Sequence, residues 1–246
     1  MIGSLLALGS LAGPSFADNP QSEKIRPGLP GRRISGGSRS PNTACLKTPN
    51  QPVVALMPKS NLGFTRSGYP TIWFSLPAIS QDRSLEFGLY DQTGDLVHKN
   101  SFSATGEAGV INLSLPETSA PLSVEEDYRW YLSVVCNEES PAENLVVTGW
   151  IRRVALENSY NEQLAVATEL EQLSIYKEFG LWYDALTALA QLRRSQSVYE
   201  PAAIDIEQRW VNLLEAIELP QVIAAPFGQS LSPVSRLVQS TESLQN

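Results

Sequence analysis

Near Leu156 the apolar period of this chain changes from two residues to nearly four, and that change bounds the fold more tightly than any other feature. Before it, short apolar or alternating runs cover 53–57, 71–76, 85–91, 96–102, 110–115, 128–136 and 145–154, separated by turn residues. Asp91-Gln92-Thr93-Gly94-Asp95 reads as a hairpin turn in which Gly94 is free to take a positive φ. Seven strands in about a hundred residues, with turns at near-regular spacing, predict an antiparallel sandwich over 44–156. After it, Ser159-x-x-Glu162 has the order of a capping box, and Val166, Leu170, Leu173 and Tyr176 follow at helical spacing up to Gly180. Trp182, Ala185, Leu186, Leu189 and Leu192 mark a second helix. Pro201 opens a third carrying Ile206, Trp210, Leu213 and Ile217, and Pro220 stops it. The expected class is therefore α+β, an N-terminal sandwich followed by a small bundle of about three helices over 157–220. The remainder, 221–246, has Pro, Ser and Gln without period and reads as a flexible tail.

One local pattern narrows the kind of sandwich. Leu122, Tyr128 and Trp130 stand at relative positions 0, 6 and 8, the spacing found where a loop climbs into the sixth strand of an immunoglobulin-like domain. Tyr128 is then expected to bond back to the loop backbone as a tyrosine corner, with Trp130, Leu132 and Val134 facing the core. Alternation sends Tyr131 to the opposite face, so it cannot share an aromatic platform with Tyr128 and Trp130.

The N-terminal segment speaks to location. Residues 1–12 are almost wholly apolar or small, Gly13-Pro14 breaks them, and Ser15-Phe16-Ala17 places small residues at −3 and −1 of a cut before Asp18. These are the apolar core and cleavage site of a secretory signal peptide over 1–17. It lacks a leading Lys or Arg, as a start codon assigned too far downstream would leave it. No later run approaches the ~18 apolar residues of a membrane span, so a soluble protein of the periplasm or cell envelope is expected. Export permits a disulfide, and Cys45 and Cys136 are the two cysteines available. Between signal and sandwich, 18–43 is a Gly/Pro/Ser-rich stretch with Lys24, Arg26, Arg32, Arg33 and Arg39 against Asp18 and Glu23. It reads as a flexible arm. Arg32, Arg33 and Arg39 could dock it on an acidic surface or anionic lipid, or it could simply be a solvated leader. An acidic surface lies nearby in sequence, since 155–219 holds eleven carboxylates and four Lys or Arg.

Chemistry is scarce. A net charge of −8, from 18 Lys and Arg and 26 Asp and Glu, argues against a nucleic-acid binder. One His and two Cys leave little for metal sites or general bases, and no cofactor or metal is expected. The G-x-S-x-G, G-x-x-x-x-G-K-[ST], H-E-x-x-H and C-x-x-C patterns are missing. His98 alternates with Val97 in a strand and should face solvent. Glu125, Glu126 and Asp127, or Glu138 and Glu139, could supply the two carboxylates of a glycosidase, but they sit on loops where charge is ordinarily solvated. Neither cluster has the order of a calcium loop. Tyr183-Asp184-Ala185-Leu186 in a helix–Gly–helix setting is similar to half a tetratricopeptide unit, whose groove would bind a peptide. Fewer than two repeats are visible, so those aromatics read as core.

Several motifs in order resemble the cyanobacterial domain of unknown function 928 family. They are Gly31-Arg32-Arg33, Gly37-Ser38-Arg39, Val54-Ala55-Leu56-Met57-Pro58, Asn61-Leu62-Gly63-Phe64-Thr65 and Tyr69-Pro70-Thr71-Ile72-Trp73-Phe74. Tyr128-Arg129-Trp130, Val135-Cys136, Gly149-Trp150-Ile151-Arg152-Arg153, Gly180-Leu181-Trp182-Tyr183-Asp184-Ala185 and Trp210-Val211-Asn212-Leu213-Leu214 complete the series, which spans about 30–220. The resemblance implies an exported cyanobacterial protein and brings no activity or catalytic residues with it. The expected role is a non-enzymatic interaction module whose partner is another envelope protein, with no nucleic-acid partner. The alternative is a carbohydrate-binding module or a weak carboxylate-based glycan hydrolase. Burial of Trp73, Trp130, Trp150, Trp182 and Trp210 together would remove the platform that a carbohydrate needs.

Overall fold

The computed structural model describes residues 29–36, 45–47, 51–80, 83–104, 106–195, 201–228 and 231. The expected signal peptide and Arg39 lie outside the described residues. The protein is α+β. One sheet has the order β1 (Val54–Ala55), β3 (Thr71–Leu76), β6 (Gly109–Ser114). The other has the order β2 (Leu62–Thr65), β8 (Leu145–Arg153), β7 (Asp127–Val135), β4 (Ser84–Tyr90), β5 (Leu96–Ser103). Each of the seven expected runs contains a strand, but an eighth strand, β2, corrects the count. It also corrects the all-antiparallel expectation, because it pairs in parallel with β8, Leu62 opposite Trp150. Four residues starting after a positive-φ Asn61 are too few to display a period, and their partner is remote in sequence.

The two sheets face each other across Phe74 and Trp130, whose rings meet edge to face at 5.5 Å. Neighbouring Trp73 points the other way, and its indole Nε1 donates to Thr187 Oγ1 on helix α3 (Trp182–Ser195) at 3.0 Å. Helices therefore cover the outer face of the three-stranded sheet, and β3 is buried on both sides. The start of α3 also plugs one end of the sandwich. Trp182 Nε1 donates to the Leu56 carbonyl, and the Tyr183 hydroxyl accepts from Trp130 Nε1 and donates to the Trp150 carbonyl. One continuous cluster of buried apolar side chains thus runs from both sheets into α3 and α4 (Pro201–Ala216).

The first predicted helix is two, which makes four helices among the described residues. α1 (Asn158–Val166) begins after Glu157 without a side-chain cap, so Ser159 lies inside it and the expected capping box does not form. The box forms instead at Thr168 and Glu171, opening α2 (Glu169–Glu178). The break between them takes Val166 (87% exposed) and Leu170 (37%) out of the core. The apolar spacing read through 166–176 was continuous, but the cap hydroxyl and carboxylate at Thr168 and Glu171 satisfy orphan amides there and restart the helix.

Three more expectations are revised. A bulge between Leu89 and Tyr90 sets His98 opposite Leu89 and skips Val97, so the imidazole is half-buried beside Phe87 and not solvent-facing. Its Nδ1 lies 3.1 Å from Ser119 Oγ, and burial lowers its pKa. In the arm, 29–36 is strapped down. Arg32 pairs with Thr148 of one sheet and Ile34 with Val54 of the other, which bridges the two sheets along one side. The 221–228 part of the tail is also ordered. Phe227 pairs with Val110 beside β6, and its ring lies against Trp73 and Trp210.

Candidate functional site

The residues singled out by sequence fall in separate places. Cys45 and Cys136 are disulfide-bonded, with Cα atoms 5.1 Å apart, and the bond ties the segment ahead of β1 to the residue after β7 across 91 residues. The Tyr128 hydroxyl accepts from the Ser123 N–H at 2.9 Å, beside buried Leu122 and Trp130, the geometry of a tyrosine corner. Arg33 is half-buried on the fold itself. Its guanidinium donates to the carbonyls of Met57 and Ile217, the latter just past the C-terminus of α4, and desolvation lowers its pKa. Arg32 remains exposed. Among the carboxylates, both oxygens of Asp127 are taken by Arg152, at 2.7 Å each. Glu138 and Glu139 stay exposed on a loop. Among the described residues no group of three His, Cys, Asp or Glu could hold a metal ion.

Two surfaces are left as candidates. The first is a cleft of about 190 Å³ between the β2–β3 corner and α2–α3, lined by Thr65, Tyr69, Thr71, Tyr176, Asp184 and Gln191 among others. Asp184 sits in the first turn of α3, and its Oδ2 accepts from the Arg66 N–H at 3.1 Å. Burial pushes its carboxyl up to about 6, against the opposing pull of Thr65, the Arg66 amide and the Arg66 charge. Asp184 is the single carboxylate in the lining, whereas hydrolysis of a glycosidic bond by paired carboxylates needs two. Sequence reasoning read this residue as part of a helix and missed its cleft, because the wall opposite it comes from a loop 118 positions away.

The second is the outer face of the five-stranded sheet. β8 alternates strictly, with Leu145, Val147 and Ile151 buried and Val146, Thr148 and Trp150 half-exposed. Across the register, Tyr90, Arg129 and Trp150 form one outward rung, and Gly88, Tyr131 and Thr148 the next. The Tyr131 ring lies against Gly88, where an added Cβ would come within 2.2 Å of Cε1, so a residue without a side chain is needed there. Tyr131 stacks on Tyr90, with centroids 6.1 Å apart and planes at 28°. Desolvation, then the neighbouring Tyr90 and Glu86, pushes its phenol up to about 12. Trp150 Nε1 donates to the Pro30 carbonyl, which fixes the indole at the edge of this face. Trp73, Trp130, Trp182 and Trp210 are buried, but Trp150 is not. Period-two alternation could have placed Tyr90, Tyr131 and Trp150 on one face, but their juxtaposition needed the pairing of β4, β7 and β8.

No protein in the curated collection matches this chain. A family model described as Domain of Unknown Function (DUF928) matches residues 34–227, a span that contains both candidate surfaces and every strand and helix named above. On that match, the chain belongs to the DUF928 family.

Proposed function

We propose that this chain is a non-enzymatic binding module of the periplasm or cell envelope, and that it meets its partner through the outer face of the five-stranded sheet. The carrying observation is the asymmetry of cover. Helix α3 packs on the three-stranded sheet through Trp73, while on the outer face of the five-stranded sheet Arg129 is exposed and Tyr90, Tyr131 and Trp150 are half-exposed. Export is supported by the signal-like N-terminus and by the Cys45–Cys136 disulfide. No helix among the described residues is long and apolar enough to cross a membrane. An immunoglobulin-like sandwich is supported by the strand orders, with β1-β3-β6 opposite β2-β8-β7-β4-β5, and by the Tyr128 corner at the start of β7. Such sandwiches commonly work by presenting a surface to a partner, in the first instance another envelope protein. Binding without catalysis is favoured by the single carboxylate of the Asp184 cleft.

Co-sedimentation of the purified full chain with the envelope fraction of its source organism tests this. The wild type and the α4 surface variant Glu215→Gln should sediment alike, while Arg129→Glu and Tyr131→Ala, folded as judged by unfolding, stay in the supernatant. Equal sedimentation of all four, or of none, would refute the assignment of this face.

A further inference from the structure

We propose that the cleft between the β2–β3 corner and α2–α3 is a second binding site, which takes a neutral, hydroxyl-rich molecule the size of a single pyranose sugar. It is separate from the outer sheet face, and neither assignment depends on the other. Size sets the first limit. A cavity of about 150 Å³ takes a benzene ring, and the cleft of about 190 Å³ leaves room for a six-membered ring with substituents. Polarity sets the second. Apart from Pro70 and Ala188, every side chain lining the cleft carries a hydroxyl, an amide or a carboxyl. An apolar ligand would strip these groups of water and give no bonds in return.

Charge narrows the class further. Asp184 is the single carboxylate in the lining, and no Lys, Arg or His lines the cleft, so an anion would meet repulsion without a counter-charge. A cation is disfavoured as well, since the Arg66 charge already acts on both Asp184 and Tyr176. The groups left over both donate and accept. Gln172 donates its Nε2 to the Leu164 and Ala167 carbonyls, which fixes the side chain and leaves Oε1 as an acceptor. Asp184 Oδ2 accepts from the Arg66 N–H, and a carboxylate has lone pairs for further donors. Neither the exposed Gln191 amide nor the Tyr69 hydroxyl makes a hydrogen bond among the described residues. A sugar hydroxyl can donate to Asp184 and Gln172 and either donate to or accept from Gln191 and Tyr69. Tyr69 and Tyr176 add aromatic carbon to the lining, which suits the C–H groups of a pyranose.

The test is a saturation-transfer NMR titration of the full chain at neutral pH with glucose, galactose and mannose. Galacturonate and glucosamine serve as acidic and basic counterparts of the same ring. At least one neutral sugar should bind, about tenfold or more tightly than either charged one. Its affinity should fall about fivefold in Gln191→Ala and about tenfold in Asp184→Asn, the loss of a neutral and of a charge-assisted hydrogen bond. Tyr131→Ala on the outer face and Glu215→Gln on α4 should leave it unchanged. No binding of any neutral sugar, equal binding of a charged one, or affinity that survives Gln191→Ala would overturn the assignment. Loss of binding in Tyr131→Ala would place the sugar on the outer face and overturn it as well. Failure of the sugar site leaves the outer-face reading standing, since sedimentation reads Arg129 and Tyr131 instead.

Discussion

The two sheets of this protein lie back to back yet differ in cover. β3, at the centre of the three-stranded sheet, is packed on the five-stranded sheet through Phe74 and on α3 through Trp73. β8, in the five-stranded sheet, buries every second residue and leaves Thr148 and Trp150 outside. A sheet covered on both faces contributes stability on both, whereas the half-covered one keeps a surface free for recognition. This division of labour makes different substitutions matter on the two sheets.

The sharpest way to break the comparison is to remove one aromatic from each sheet. Trp73→Ala, emptying a fully buried site between β3 and α3, should cost about 3–5 kcal/mol, whereas Tyr131→Ala on the open face should cost no more than ~1 kcal/mol. Denaturant unfolding of both variants measures this, and equal costs would show that the open face is a hidden core. The disulfide comes next. Closing a loop across 91 residues constrains the unfolded chain, so replacing Cys45 and Cys136 together by Ala should lower stability by roughly 4–5 kcal/mol in the chain-entropy picture, within a usual range of about 2–5. Two free thiols on alkylation of the unreduced, denatured wild type would contradict the bond itself.

A smaller effect sharpens the contrast between cleft and open face. Burial raises the Asp184 carboxyl to about 6, above its value in the unfolded chain, so the folded state holds the extra proton between about pH 4 and 6. Stability from this group is present at low pH and is lost as pH rises through 6, the reverse of a salt-bridged aspartate. Because Asp184 is partly exposed, the effect should be about 1–2 kcal/mol, less than the full shift would convert to. Asp184→Asn should flatten the wild-type decline over that window in pH-dependent unfolding, and an unchanged slope would place the titration elsewhere.

Much of this architecture was readable along the chain, and the misses share a cause. The period-two runs found the long strands, and the steps of three and four found the buried faces of α3 and α4, because each pattern is repeated over many residues. β2, the arm at 32–34 and the tail at 226–228 each form through a few bonds to a remote partner, and so carry no local period. The bonds of Arg33 are illegible for the same reason, since nothing in a basic stretch announces a helix end 184 residues away. His98 was misplaced by a single extra residue in β5, which reverses alternation from there on. At the candidate site, the outward direction of Tyr131 was readable, but its union with Tyr90, Arg129 and Trp150 depends on which strands lie side by side.

The most direct measurement is oxidative footprinting of the full chain with and without the envelope fraction. The account expects protection of Tyr90, Tyr131 and Trp150 on binding, with Tyr160 on α1 unchanged. Protection confined to Tyr69 and Tyr176 at the cleft, or to the helices, with Tyr131 and Trp150 as reactive as before, would contradict it.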